Sequence, residues 1–110
     1  MISNLNKINL LKRKKIANGI KFIDNYNRKN HCIDKVMIFG SSTRDDCTEN
    51  SDIDICLFSK CDLSDVKLFD IFGELPFVVG QNCDILSFND IGSDLQKIIM
   101  DNGIVVYEYK

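Results

Sequence analysis

The feature that most constrains this chain lies in its middle, where one apolar run ends in a glycine and the next carries two aspartates. Residues 36–39 lead directly into Gly40 and Ser41, and ten residues later Asp52 and Asp54 stand two positions apart. Side chains two apart on a strand project from one face, so these carboxylates should lie side by side. Two like charges that close oppose each other's ionisation unless a cation lies between them.

Such an arrangement can hold a metal-bound triphosphate. Gly40 lets the backbone approach a phosphate, and Ser41 offers a hydroxyl and an amide to its oxygens. Mg²⁺ takes oxygen ligands from one or two carboxylates together with substrate phosphates. The residues after Ser41 are expected to form a short helix or turn whose amides face the anion. The alternative is a surface hairpin with a Gly-Ser turn and two solvated aspartates.

A third carboxylate, Asp84, lies inside the apolar run 83–88. A run this apolar should be mostly buried, where an aspartate costs several kcal/mol unless a cation or hydrogen-bond donors compensate it. Gly80 and Asn82 supply a turn that could start this strand beside the first two. The alternative is a strand-end aspartate that faces water. Asp90 fits the role less well, because it stands where a helix should start.

Gly40-Ser41, ten residues and then Asp52-Ile53-Asp54 resemble the signature of the nucleotidyltransferase superfamily related to DNA polymerase beta. The short chain resembles the minimal branch, which includes small proteins paired with HEPN-domain toxins. The resemblance implies a nucleotidyltransferase fold that binds ATP and two Mg²⁺ ions. It also implies two sets of site residues, the catalytic metal ligands Asp52, Asp54 and Asp84, and the nucleotide-binding Gly40, Ser41, Ser42 and Arg44.

By the same resemblance, Asp84 would accept the acceptor hydroxyl's proton, and AMP would pass to a tyrosine of a HEPN-type toxin. The chain would then be an antitoxin as well as an adenylyltransferase. Two other functions stay open, a catalytically weak module that binds such a partner, and a dimeric small-molecule nucleotidyltransferase of the aminoglycoside-modifying kind. Arg44 could grip a phosphate or pair with a neighbouring carboxylate. Asp45 stands where the family commonly has glycine, and its charge would repel a nucleotide.

Composition limits the remaining possibilities. The 110 residues make a single domain, 1–110, and with 45% hydrophobic residues and a net charge of −2 they indicate an ordinary soluble protein. Nucleic-acid binding is not predicted, and the basic run 12–15 is interpreted as a solvated helix face. No apolar stretch is long enough for a membrane span, and no signal peptide is recognisable. Five cysteines without a C-x-x-C pair favour a reduced, cytoplasmic protein without zinc or a disulfide framework.

Hydrophobic periodicity predicts a compact α/β domain, a small mixed sheet flanked by helices. Helices are expected over 8–27, over 65–75 with Ser64 as its cap, and from Ile91 to a stop at 102–103. Strands are expected over 36–39, 53–58 and 83–88, with a short strand or extended tail at 104–107. Pro76 and Gly80 should bracket a separate segment, 77–79. Gly19 either weakens the first helix by about 1 kcal/mol or allows a close contact.

Overall fold

Four strands form one mixed sheet in the computed structural model, which describes residues 1–29, 31–59 and 66–109. Their order across the sheet is β3-β2-β1-β4, with β1 antiparallel to both neighbours and β2 parallel to β3. The expected small mixed sheet is therefore confirmed. The strands are β1 (Ile33–Phe39), β2 (Ile53–Ser59), β3 (Cys83–Ser87) and β4 (Ile104–Glu108).

The described residues contain three α-helices, α1 (Leu10–Lys29), α2 (Val66–Val79) and α3 (Ser93–Asn102). Helices α1 and α2 cover one face of the sheet and α3 the other, because alternate residues of β1 join different apolar clusters. Val36 and Ile38 pack with the isoleucines of α1, whereas Met37 packs with Ile99 of α3. This two-sided core holds β1 and β2 in the middle of the sheet.

Helix α2 runs through Pro76 to Val79, so the prediction of a separate segment at 77–79 is wrong. Proline removes one helical hydrogen bond, but Leu75 and Val79 lie four residues apart on the buried face. Their burial outweighs that loss. The helix closes where the Gly80 amide donates to the Pro76 carbonyl at 2.9 Å. The predicted cap, Ser64, lies outside the described residues.

Two expectations about particular side chains are also wrong. Lys12, in the basic run expected to face solvent, is fully buried, because its ammonium donates hydrogen bonds to the Glu49 carbonyl and to Gln81. Cys32 is disulfide-bonded, which the absence of C-x-x-C spacing could not reveal, since that spacing reports only on local pairs. Cys47, Cys56 and Cys83 are free.

Among the described residues, no helix is both long enough and apolar enough to cross a membrane.

Candidate functional site

The candidate site lies at the edge of the sheet where β1 ends and β2 and β3 begin. Phe39, the last residue of β1, pairs with Asp54, and Asp54 pairs across the parallel ladder with Asp84. This register sets the turn after Phe39 beside two carboxylates that are thirty residues apart in sequence. The sheet therefore brings together the glycine turn and two of the three predicted aspartates.

Gly40 lies directly against the Asp54 carboxylate. Its φ is +73°, a left-handed conformation, and a Cβ added there would lie 2.2 Å from Asp54 Oδ2. Both the backbone conformation and the available space therefore require glycine. Gly40–Thr43 forms a single 3-10 turn, closed by a hydrogen bond of 2.7 Å from the Thr43 hydroxyl to the Gly40 carbonyl. The turn is too short to act as a helix N-terminus.

Asp54 has a strongly raised pKa. Its pKa is raised from 3.8 to about 6, first by burial, then by the charge of Asp84 and a hydrogen bond with that side chain, and then by Asp52. Arg44 acts in the opposite direction. The Asp54 carboxyl thus lies within hydrogen-bond range of the Asp84 side chain at the end of the sheet.

Asp84 lies on the predicted strand beside β2, but its exposure differs from the expected one. β3 is an edge strand and Asp84 is exposed, so the expectation of a buried aspartate is wrong. Its place is set by the pairing of β3 with β2. The neighbouring Cys83 thiol reports the same charge cluster, since its pKa is raised to about 11 by burial and then by Asp52, Asp84 and Asp54.

The carboxylates fit a hard divalent cation as a pair rather than as a preformed triad. Within the described parts of the chain, no group of three or more His, Cys, Asp or Glu side chains is arranged to hold a metal ion. Asp54 and Asp84 are close enough to hydrogen-bond, whereas Asp52 is exposed and affects Asp54 through its charge. Two carboxylates at this distance provide the oxygen ligands that Mg²⁺ uses in nucleotide sites.

A cavity of about 550 Å³ opens beside Asp54, within the range typical of small-molecule sites. Its walls come from the glycine turn on one side and from α3 on the other, and the lining residues are Phe39, Gly40, Thr43, Arg44, Asp54, Leu95, Ile98 and Asn102. The α3 residues were predicted only as a helix face and a helix stop. Ile98 is 53% exposed although it stands within the apolar stripe, and a single sequence does not distinguish it from the buried Ile99.

The remaining predicted nucleotide-binding residues differ in their placement. The Ser41 hydroxyl lies 3.5 Å from the Asp52 carbonyl, at the limit of a hydrogen bond. Ser42 is fully buried, and its hydroxyl has no hydrogen-bond partner among the described residues, so a nucleotide in the cavity would not meet it. Arg44 pairs with Asp46, with 3.1 Å between Nε and Oδ1, and both side chains are largely exposed.

Asp45, which stands where the family commonly has glycine, is not among the residues that line the cavity beside Asp54. It lines a separate cavity of about 340 Å³ together with Asn9 and Arg13. Asp45 and Asp54 therefore line different cavities, which share Thr43 and Arg44.

Residues 21–110 match the family model described as polymerase beta, nucleotidyltransferase. The match includes every predicted site residue. No curated protein sequence matches the chain significantly.

Solved structures of toxin–antitoxin complexes share the fold. One is a toxin–antitoxin complex with AMP-PNP, with a TM-score of 0.67 and 20% identity over 84% of this chain and 75% of the other. A second is the tri-AMPylated Shewanella oneidensis HEPN toxin in complex with MNT antitoxin (TM-score 0.62, 17% identity, 86% and 73% covered). A third is a MntA–HpeT mutant with two aspartates changed to glutamate. Its TM-score is 0.64 and its identity 18%, over 84% of this chain and 75% of the other. These likenesses confirm the expected nucleotidyltransferase fold.

Proposed function

The chain belongs to the polymerase beta nucleotidyltransferase family, and we propose that it transfers AMP from ATP to a hydroxyl of a HEPN-type partner protein. One observation carries the proposal. Asp54 lies against Gly40, lines a cavity large enough for a nucleotide, and is within hydrogen-bond range of Asp84. A soluble ATP pool is required, so the proposal places the chain in the cytoplasm.

The cavity has a polar wall and an apolar wall, as a nucleotide needs. Gly40, Thr43 and Arg44 would face the phosphates, and the backbone at Gly40 would approach them most closely. Arg44 would exchange the exposed Asp46 carboxylate for a phosphate, which its fork fits equally well. On the opposite wall, Leu95 and Ile98 offer an apolar surface to the base.

Asp52, Asp54 and Asp84 would hold Mg²⁺, of which the family resemblance implies two ions. A bound divalent cation neutralises departing pyrophosphate and lowers the pKa of an acceptor hydroxyl. The acceptor oxygen would form a bond to the α-phosphorus while the bond to the β-phosphate oxygen breaks, and pyrophosphate leaves. Asp84, exposed beside the half-buried Asp54, would take the hydroxyl proton.

Two of the structural neighbours support the choice of acceptor. One comes from the complex of a tri-AMPylated HEPN toxin with MNT antitoxin. Another bears two aspartate-to-glutamate changes two positions apart, the spacing of Asp52 and Asp54. We propose that a tyrosine hydroxyl of such a partner is the acceptor and that its modification silences the toxin. Ile98 on α3 is exposed and lines the cavity, and Met100 is exposed on the same helix, so both would offer apolar surface to the partner.

A second candidate function is a partner-binding module with little catalysis. The pairing of Arg44 with Asp46 favours it, because a neutralised arginine attracts a triphosphate less strongly. Such a module would neutralise its partner through contact alone, so its action would not depend on Asp52 or Asp54.

The test uses α-labelled ATP, Mg²⁺ and a lysate of the native organism, with the wild-type chain and the Asp52→Asn/Asp54→Asn variant. We expect label on one protein band with the wild type and none with the variant. Asp90→Asn/Asp94→Asn is the matched control, since it removes two exposed carboxylates outside the cavity lining and should label normally. Equal rescue of a co-expressed toxin by wild type and the Asp52→Asn/Asp54→Asn variant, without any label, would instead establish the binding module.

A further inference from the structure

A fully buried lysine lies close to the carboxylate cluster and takes no part in the proposed chemistry. Lys12, in the first turn of α1, has 0% exposure, which is rare for lysine unless its ammonium has partners. Its ammonium donates to the Glu49 carbonyl at 2.9 Å and to Gln81 Oε1 at 2.8 Å. Lys12 and the three aspartates all influence the Cys83 thiol, so this charge lies within electrostatic range of the candidate site.

Gln81 connects this lysine to the backbone of the aspartate motif. Its Oε1 accepts from both Lys12 and Lys15, at 2.8 and 2.9 Å, and its Nε2 donates to the Ser51 carbonyl at 2.8 Å. Ammonium groups only donate, so they fix which end of the amide is oxygen and direct its NH₂ to Ser51. Asp52 is the next residue in the chain.

Hydrogen bonds from Lys12 and Gln81 therefore hold both ends of segment 49–51. Lys12 holds the carbonyl of Glu49, and Gln81 holds that of Ser51. In addition, the Ser51 hydroxyl accepts a hydrogen bond of 3.0 Å from the amide of Thr48, which precedes the segment. Asp52 itself lies just before β2 and is exposed, so these contacts fix its backbone where the sheet does not.

We propose that Lys12 and Gln81 are positioning residues that fix segment 49–51 and so direct the Asp52 carboxylate towards a divalent cation shared with Asp54. The inference rests on the proposed function. It also adds to what the family match covers, because Lys12 precedes the matched residues 21–110. Contacts that orient metal ligands typically change metal affinity or activity 10–100-fold when they are removed.

Binding of Mn²⁺ to the chain, measured by calorimetry without turnover, tests the proposal. Gln81→Glu keeps an oxygen for the two lysines but loses the donor to Ser51, and Lys12→Met keeps much of the stem while it removes the ammonium. Both variants make the neighbourhood more negative, so simple electrostatics would tighten cation binding. Positioning predicts the opposite, a dissociation constant at least about 10-fold higher for Mn²⁺.

Two matched variants control for charge and for hydrogen-bond loss. Gln96→Glu removes an equivalent side-chain hydrogen bond, from Gln96 Nε2 to the Phe88 carbonyl at 2.7 Å. Lys14→Met removes an exposed charge from α1, the helix that carries Lys12. Both should bind Mn²⁺ within about twofold of the wild type. Thermal unfolding of each variant identifies the folded ones, and if Lys12→Met does not fold, Gln81→Glu decides alone.

Unchanged or tighter Mn²⁺ binding by folded Gln81→Glu overturns this proposal and leaves the proposed function intact. A wild-type chain that binds neither Mn²⁺ nor ATP overturns both. For the folded variant we also expect a lower kcat with little change in KM for ATP, since the cavity walls are untouched.

Discussion

Two glycines, Gly40 at the site and Gly19 in the core, allow close approaches of opposite kinds. A Cβ at Gly19 would lie 2.9 Å from Val79 Cγ2 and 3.3 Å from Leu75 Cδ1, where α1 packs on α2. A Cβ at Gly40 would lie 2.2 Å from a carboxylate oxygen of Asp54. The first contact brings together hydrocarbons that gain from burial, and the second brings backbone against a charge that burial disfavours.

The comparison shows that stability and chemistry are located in different parts of this small domain. Around Gly19, close packing lets two helices bury a continuous apolar face. Around Gly40, the fold maintains a crowded carboxylate pair that is unfavourable without a cation. Substitutions on the core side should therefore change the free energy of unfolding, and those on the site side should change activity.

The largest expected effect lies on the site side, at Asp84. Asp84→Asn removes a proposed metal ligand and proton acceptor from an exposed position, so AMP transfer should fall by more than about 100-fold with little change in stability. Initial rates with labelled ATP and the melting temperature measure the two quantities. Asp90→Asn, a control in the turn that follows β3, should transfer AMP at a rate within about threefold of the wild type. Equal activity of the two variants would remove Asp84 from the mechanism.

Gly40→Ala should have the next largest effect, about 100-fold on activity, because the new methyl group must displace the Asp54 carboxylate. Left-handed backbone adds about 1–2 kcal/mol of destabilisation for alanine. Gly80→Ala is a close control, since Gly80 has a φ of +89° but no atom within 4 Å of an added Cβ. It should lose similar stability and keep its activity. If Gly80→Ala loses as much activity as Gly40→Ala, general strain explains both.

A substitution in the core, at Gly19, should have a smaller effect, and on stability rather than on activity. Gly19→Leu overpacks the contact with Val79 and should lower the free energy of unfolding by about 2 kcal/mol. Activity per folded molecule should stay unchanged. Gly73→Leu is the control in a helix position with open space, and it should be neutral or stabilising. A drop in kcat for folded Gly19→Leu would show that core packing is coupled to the site.

Sequence reasoning succeeded where the relevant contacts are local. Gly40 and Asp54 are recognisable from a fixed spacing, and the strands around them from short apolar runs. It failed where a distant partner decides the outcome. Lys12 belongs to a basic run that usually faces solvent, and only the fold brings it to the Glu49 carbonyl and to Gln81. Likewise, Pro76 indicates a helix end until Leu75 and Val79 are seen packed against α1.

The smallest expected effect is on the pH dependence of stability. The pKa of Asp54 is raised from 3.8 to about 6 in the folded chain, so between these values the folded state binds more protons than the unfolded state. The free energy of unfolding should therefore fall as the pH rises from about 4 to about 6, when divalent cations are absent. Solvent screening at the half-exposed site limits the loss to about 1 kcal/mol.

Denaturant unfolding in EDTA at several pH values measures this slope. Asp54→Asn should flatten it and should be more stable than the wild type at pH 7, because the crowded charge is gone, whereas Gly19→Leu should keep the wild-type slope on a lower baseline. Saturating Mg²⁺ should also remove the slope from the wild type, since the cation would replace the proton on Asp54. A slope of full size in Asp54→Asn would show that the carboxylate pair is not the destabilised part of the fold. The carboxylate charges would then not be what destabilises the site relative to the core.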